Sequence, residues 1–391
     1  MRKTIAAAMA LMLWSVGAGA ERLADILQTI RANNTGLKAM LKDIEADNAD
    51  TRADNTVGGP SVEYSPFWQK NVDGVASSEL VVSQEFDFPT LYSARGKSAD
   101  LKDKALMLQY DAARRDLLLQ AKGLCIDLVK LRKERELLDL RRGYADTMLR
   151  LIEKKERAGA STALEVNKTR MEKMSLDAAA QSNDAGQLAI EEQLTALNAS
   201  LPLELDGLDY PATDPISDYQ SFKELALSSD PAILAARGEV VAARQELKVS
   251  RSEWLPSLTM GYRRNTAPGE SANGFVVGLS FPVWSTSQRT RAARARQTAA
   301  ELRADDESRR LESSLEAQYR ELVILEKTIA AYDPELMTRT LALLAKAVDA
   351  GQITVLDYFT EADIVYGKMQ ELIDARYNYQ SVMASLTRST L

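Results

Sequence analysis

Leu255-Pro256-Ser257-Leu258-Thr259-Met260-Gly261-Tyr262, and past a polar Gly/Pro/Asn stretch Phe275-Val276-Val277-Gly278-Leu279-Ser280-Phe281-Pro282-Val283-Trp284, decide how this chain reads. In the first run Leu258, Met260 and Tyr262 point one way and Ser257, Thr259 and Gly261 the other. In the second, Phe275, Val277, Leu279, Phe281 and Val283 alternate with Val276, Gly278 and Ser280. Period two over ~9–10 residues marks a strand with one apolar face. The aromatics Trp254, Tyr262, Phe275 and Trp284 are expected near strand ends, where an interfacial girdle would lie. Standing alone, such a hairpin would be an ordinary one packed on helices. It does not stand alone.

Pro60-Ser61-Val62-Glu63-Tyr64 aligns with the segment from Pro256, an offset of 256 − 60 = 196. Leu80-Val81-Val82-Ser83-Gln84-Glu85-Phe86 aligns with Phe275–Phe281 at 275 − 80 = 195. Here Leu80, Val82, Phe86 and Phe88 oppose Val81, Ser83, Glu85 and Asp87. An apolar face against a polar one, twice in an otherwise helical chain, points to lipid on one side and water on the other. Four strands cannot close a barrel, and open edges are not tolerated in hydrocarbon, so the chain must oligomerise. The hairpin loops, Pro66–Ser78 and Asn265–Gly274, are expected outside the cell.

The chain starts Met1-Arg2-Lys3, then an apolar run from Ile5 to Val16, then Gly17-Ala18-Gly19-Ala20. That order reads as a secretory signal peptide over 1–20, cut after Ala20; the apolar run is too short to span a membrane. Without Arg2 and Lys3 the charge is (49 − 2) − 56 = −9, which argues against nucleic-acid binding. With no histidine, His-based metal sites and Ser/His/Asp or Cys/His catalysis are excluded, and no cofactor is expected. Cys125, the only cysteine, cannot form an internal disulfide or carry a lipid after the signal. No later stretch is apolar enough for a transmembrane helix, so insertion must be by strands.

Residues 22–56 read as a helix interrupted at Asn33-Asn34-Thr35-Gly36, whose counterpart is Ser229-Asp230-Pro231-Ala232. Pro231 suits a first turn capped by Asp230. From about 92 to 157, Leu117, Ala121, Leu124, Leu128, Leu131 and Leu138 fall on heptad spacing. The span of ~65 residues would run ~100 Å as straight helix. Leu311, Leu315, Leu322, Leu325, Ile329 and Leu336 repeat the rhythm, with a kink expected at Pro334. Each long helix then meets a glycine: Ala158-Gly159-Ala160-Ser161-Thr162-Ala163-Leu164-Glu165 aligns with Ala350-Gly351-Gln352-Ile353-Thr354-Val355-Leu356-Asp357. Glycine followed three residues on by threonine reads as a C-cap and a new N-cap, so a returning helix follows; the alternative is a kink within one continuous helix. Residues 201–221, rich in Pro, Asp and Gly, read as a surface linker between a first repeat, 21–200, and a second, 222–391.

Helix, strand, strand, long helix, glycine turn and returning helix, all repeated, resembles the TolC-like outer-membrane efflux protein family. The glycine turns, Leu255-Pro256-Ser257-Leu258, Leu279-Ser280-Phe281-Pro282 and Gln370-Glu371-Leu372-Ile373-Asp374-Ala375-Arg376-Tyr377-Asn378-Tyr379 carry the likeness. Glu156 and Val348 depart from it, standing where an aromatic often precedes the tip glycine. The resemblance implies a mainly α fold in which long antiparallel coiled-coil helices form an α-barrel. Four strands per chain join a trimeric, twelve-stranded β-barrel in the outer membrane, with a periplasmic extension. Leu80, Val82, Phe86, Leu258, Met260, Tyr262, Phe275, Val277, Leu279 and Phe281 would face its lipid. Gly159 and Gly351, with Ala158 and Ala350, would form tips that dock a periplasmic adaptor (a membrane fusion protein) serving an inner-membrane pump such as an RND-type transporter.

The resemblance also implies aperture acids: Glu165, Asp357 more centrally, and Glu361 one turn on, where the strictly matching position is Thr360. Carboxylates around a threefold axis would attract cations; alternatively they are helix-start acids favoured by the dipole. The function implied is a passive exit duct for small molecules or ions in a tripartite efflux or secretion system, not an enzyme. A soluble periplasmic coiled-coil adaptor or scaffold is the alternative, but it has no reason to keep two apolar strand faces. Paired-carboxylate hydrolysis lacks a recognisable pocket motif, and the scattered methionines read as core filler.

Overall fold

The computed structural model describes residues 16–70, 73–213, 215–282 and 286–391. Most of the expected signal peptide, up to residue 15, lies outside the described residues, as do Val283 and Trp284. In order the elements are α1 (Val16–Asn33), α2 (Thr35–Ala53), β1 (Ser61–Phe67), β2 (Ser77–Phe86), α3 (Pro89–Arg157), α4 (Ala163–Leu197), α5 (Tyr219–Ser229) and α6 (Pro231–Ser252). Then come β3 (Ser257–Ala267), β4 (Glu270–Ser280), α7 (Thr286–Ala330), α8 (Pro334–Asp349), α9 (Val355–Leu386) and a short 3-10 turn, Thr387–Thr390. No described helix is long and apolar enough to cross a membrane.

Two compact units divide the chain. The first contains Lys38–Ala113 and Leu227–Leu311, and so all four strands. Its strands lie in the order β1-β2-β3-β4, every neighbour antiparallel. In the same unit α6 starts as expected, with the Asp230 carboxylate accepting from the Ala232 N–H at 2.9 Å and Pro231 in the first turn. Further along α6, Gly238 has no room for a side chain, since a Cβ there would sit 2.8 Å from the Leu108 side chain. The Gln245 amide donates to Ala94 O (3.2 Å) and that of Asn55 to Tyr92 O (3.0 Å), fastening α6 and the segment after α2 onto α3.

The hairpin of β3 and β4 departs from the expected loop over Asn265–Gly274. Both strands continue through those polar residues, pairing as far as Ala267 with Glu270, so only Pro268-Gly269 turns. Gly269 has φ +84°, and proline then a positive-φ glycine is what a tight type II turn asks for. Backbone pairing needs no apolar side chains, so the strands outrun their apolar segment. Tyr262 and Phe275 therefore pair in mid-strand rather than at strand ends, at the border between apolar and polar halves.

The other unit takes in residues to Leu37, Arg114–Ala226 and Glu312–Leu391. One core cluster joins Leu23, Ile26 and Ile30 of α1 to Ala121, Cys125, Leu128 and Val129 of α3 and Leu194 of α4. Leu205 and Leu208 are buried in it, with Leu203 and Tyr210 against it. The segment after α4 is largely exposed and, among the described residues, free of helix and strand before Tyr219, as expected of a linker, but Leu205 and Leu208 anchor it in this core. Its few leucines are spaced irregularly, which hides burial from a periodicity test. Cys125 lies in this core, and desolvation pushes its thiol up to about 12, out of reach of thiolate chemistry.

Pro334 also differs from expectation. It does not kink a continuous helix; α7 ends at Ala330, and the Asp333 carboxylate caps α8 by accepting from Leu336 N–H at 2.9 Å, with Pro334 in the first turn. The break resets the heptad phase. Leu336 is exposed, while Met337, Leu341 and Val348 are buried.

Candidate functional site

Directly opposed residues of antiparallel strands share a face, so the register sorts the sheet into two surfaces. Tyr64–Leu80, Val62–Val82, Val82–Tyr262, Phe86–Leu258, Tyr262–Phe275, Met260–Val277 and Leu258–Leu279 are all opposed pairs. The nine strand residues among the expected lipid-facing set thus fall on one continuous surface, which Val62 and Tyr64 of β1 extend. Large side chains on it meet little protein: Phe275 is 91% exposed and Val277 72%. Phe281, just past β4, is also exposed. Polar residues interrupt it at two places: Arg264 and Asn273, opposite Leu80 and each other toward the hairpin turn, and Gln84, whose amide is turned to the backbone, donating to Gly58 O at 2.6 Å.

The opposite surface is polar and small. Ser61, Ser83, Gly261 and Val276 lie across from one another in a row, as do Glu85, Thr259 and Gly278. The Arg263 guanidinium pairs with Glu79 at 2.7 Å, and Ser257 Oγ donates to Glu85 at 2.5 Å. At Gly261 the strands approach too closely for any side chain, since a Cβ would stand 2.6 Å from the Val82 carbonyl oxygen. Bulk on one face and glycine or serine on the other is the distribution a strongly curved sheet requires. The outer edges of β1 and β4 have no partner strand among the described residues.

The second candidate feature is the pair of glycine turns. After α3, Ala160 N–H donates to Lys155 O (2.8 Å) and Gly159 N–H to Glu156 O (2.9 Å). After α8, Gln352 N–H donates to Ala347 O (2.9 Å) and Gly351 N–H to Val348 O (3.0 Å). These are two copies of the Schellman closure, with φ +74° at Gly159 and +70° at Gly351. Thr162 and Thr354 then cap α4 and α9, each in a full capping box. A single core cluster holds Ile152 and Val166, which flank one turn, and Val348 and Val355, which flank the other. The turns therefore close the same end of one helical layer, with Ala158, Gly159, Ala350 and Gly351 exposed.

The carboxylates of Glu165 and Asp357 complete those capping boxes. Glu165 Oε2 accepts from Thr162 N–H at 2.9 Å and Ser161 Oγ at 2.5 Å; Asp357 Oδ2 accepts from Thr354 N–H at 3.0 Å and Thr354 Oγ1 at 2.7 Å. Both are held below the usual carboxylate range, Glu165 chiefly by the Ser161 hydroxyl and Asp357 by the Thr354 hydroxyl. They are charged at neutral pH and fixed in direction. Glu361, one turn beyond Asp357, is exposed, whereas the Thr360 hydroxyl bonds back to Leu356 O (3.1 Å).

Sequence reasoning missed what lies under the turns. Tyr358 is fully buried, its hydroxyl 3.4 Å from that of Tyr366 and its ring 6.2 Å from that of Tyr144. Desolvation pushes the Tyr358 phenol up to about 12 and raises that of Tyr366 further, so both are neutral donors. The Arg141 guanidinium lies 4.9 Å from the Tyr366 ring centre and reaches Asp363 of α9 (2.9 Å) and Glu172 of α4 (3.5 Å). Tyr358, Ala362 and Tyr366 at four-residue steps were the available signal, but tyrosine is ambiguous between core and surface.

A two-faced four-stranded sheet joined to long helices that end in paired glycine turns is also the architecture of solved outer-membrane channels. Residues 223–390 match the family profile described as outer membrane efflux protein. The chain is 27% identical over 184 residues to the alkaline protease secretion protein AprF of Pseudomonas aeruginosa, a match covering 44% of this chain but 38% of AprF. It is 20% identical over 387 residues to the outer membrane protein TolC of Vibrio cholerae serotype O1, covering 92% of this chain and 88% of that protein. The structure of the outer-membrane channel OprN superposes with a TM-score of 0.78 at 16% identity, covering 94% of this chain and 89% of that one. The second half of the chain thus carries the outer membrane efflux protein profile, and the chain as a whole shares its fold with solved outer-membrane channels.

Proposed function

We propose that this chain is the outer-membrane duct of a tripartite efflux or secretion system, a passive conduit for small molecules or ions. One observation carries the reading. A four-stranded sheet exposes a largely apolar face and, among the described residues, leaves both edges without a partner strand, a surface stable only if lipid covers the face and further strands cover the edges. Three copies, β4 of one beside β1 of the next, would complete a twelve-stranded barrel around the small polar face. A soluble adaptor or scaffold would leave that apolar face in water.

In this reading the turns at Gly159 and Gly351, with Ala158 and Ala350, receive a periplasmic adaptor linked to an inner-membrane pump of the RND type. Their exposure and shared end of one helical layer support that role. Glu165, Asp357 and Glu361 would then supply negative charge near the inner opening. Capping and charge are compatible there, because the capping bonds keep the first two carboxylates ionised.

The test is membrane fractionation of the expressed protein, followed by sizing in mild detergent. Sedimentation with the outer membrane as a trimer is expected; a soluble monomer in the periplasm refutes the duct. Deleting the gene should sensitise cells to small toxic compounds or ions. Loss of protein secretion alone, the role AprF is named for, would refute the cargo class.

A further inference from the structure

At the end of the sheet that runs into α3, Phe86, Phe88, Tyr92, Leu258, Met260 and Leu279 line an open cleft of about 650 Å³. The walls are almost entirely carbon, and the one charged residue in the lining is Asp87. Asp87 is not isolated: its Oδ2 is 2.5 Å from the Arg95 guanidinium, and its N–H donates to the Tyr92 hydroxyl at 3.0 Å. Both members of that ion pair keep about a third of their side-chain surface accessible, 35% for Asp87 and 31% for Arg95. The cleft is thus apolar for most of its lining, and through Asp87 it borders one accessible, electrically neutral pair with Arg95.

We propose that this cleft binds one zwitterionic glycerophospholipid, with an acyl chain between Phe86, Leu258 and Leu279 and the headgroup at Asp87 and Arg95. The inference rests on the reading of this sheet face as lipid-facing. Leu258, Met260 and Leu279 belong both to the cleft and to the apolar face, so the cleft is a depression in that same surface. Its volume lies within the ~300–1,000 Å³ range of small-molecule sites, large enough for a chain rather than a single methyl group. A phosphate placed at Arg95 and an ammonium at Asp87 would satisfy both charges. A net-anionic headgroup would instead meet the Asp87 carboxylate with no cation of its own to offer. The complementarity is therefore to phosphatidylethanolamine over phosphatidylglycerol.

The experiment is native mass spectrometry of the full-length oligomer, stripped of lipid in detergent and given equal amounts of the two phospholipids. Up to one phosphatidylethanolamine per chain is expected, preferred roughly fivefold, the scale of one exposed charge contact. Leu258→Trp, which fills the cleft, should lower adduct formation about tenfold. Asp87→Asn, which removes the partner of the ammonium and leaves Arg95 for the phosphate common to both lipids, should keep the adducts and lose the preference. Equal retention of both lipids by the unaltered protein, or undiminished adducts in Leu258→Trp, overturns the proposal. Normal outer-membrane fractionation without any adduct overturns it while leaving the duct standing; a protein absent from the outer membrane refutes the lipid-facing reading itself.

Discussion

Replacing Gly351 separates two roles that its exposed position combines. The residue sits at φ +70°, where an L side chain costs about 1–2 kcal/mol, and a Cβ built there meets nothing within 4 Å. Strain is therefore the whole intramolecular cost, and it is nearly the same for alanine and leucine, which differ only in the bulk they project outward. Against a stability of ~5–15 kcal/mol for a folded domain, neither change should unfold the protein. Gly351→Ala and Gly351→Leu should both assemble at normal levels in the outer membrane. Only Gly351→Leu should abolish export, measured as restored resistance in a deletion strain, because only leucine occupies the space an adaptor needs. Gly351→Asn, which tolerates the left-handed region, should behave like alanine. If alanine and leucine lose export equally, turn geometry rather than docking is at stake, and the tip assignment is refuted.

Tyr358→Ala should destabilise the helical layer beneath the turns by about 3–5 kcal/mol, whereas Tyr358→Phe, losing one 3.4 Å hydroxyl contact, should cost ~1 kcal/mol or less; denaturant midpoints would show it. Gly261→Val should prevent strand pairing, since its Cβ would lie 2.6 Å from a backbone oxygen, while Gly278→Ala, with Thr259 Cβ at 3.5 Å, should be tolerated; detergent-resistant oligomer on a gel distinguishes them. Glu165 and Asp357 titrate below their unfolded values of 4.5 and 3.8, so their capping contribution is complete above those values and is lost as pH falls through the lower folded ones. Protease cleavage near Gly159 and Gly351 should rise on acidification, and Glu165→Gln with Asp357→Asn should blunt that rise. Asp357→Ala should weaken cation preference in a planar bilayer; an unchanged preference would leave Asp357 a helix-capping acid alone.

Much of this architecture is written locally. Period-two alternation in Leu258–Tyr262 and Phe275–Phe281 is a property of successive side chains, so the two faces of the sheet were readable without coordinates. The Gly-x-x-Thr-x-x-acid order of both turns is equally local, because Schellman closures and capping boxes bond only residues within a turn of one another. The tertiary structure decided what depends on partners far along the chain. The β2–β3 pairing joins strands on either side of α3 to α6, and only that register puts Tyr64, Leu80, Val82, Tyr262 and Phe275 on one surface. Burial of Leu205 and Leu208 depends on a pocket between α1 and α3 that no window around them contains. The Tyr358–Tyr366–Arg141 cluster draws on α3, α4 and α9, and burial of an amphipathic tyrosine is settled by what packs over it. Even Pro334 was ambiguous locally: proline can kink a helix or begin one, and it begins one here because the Asp333 carboxylate is in place to cap it.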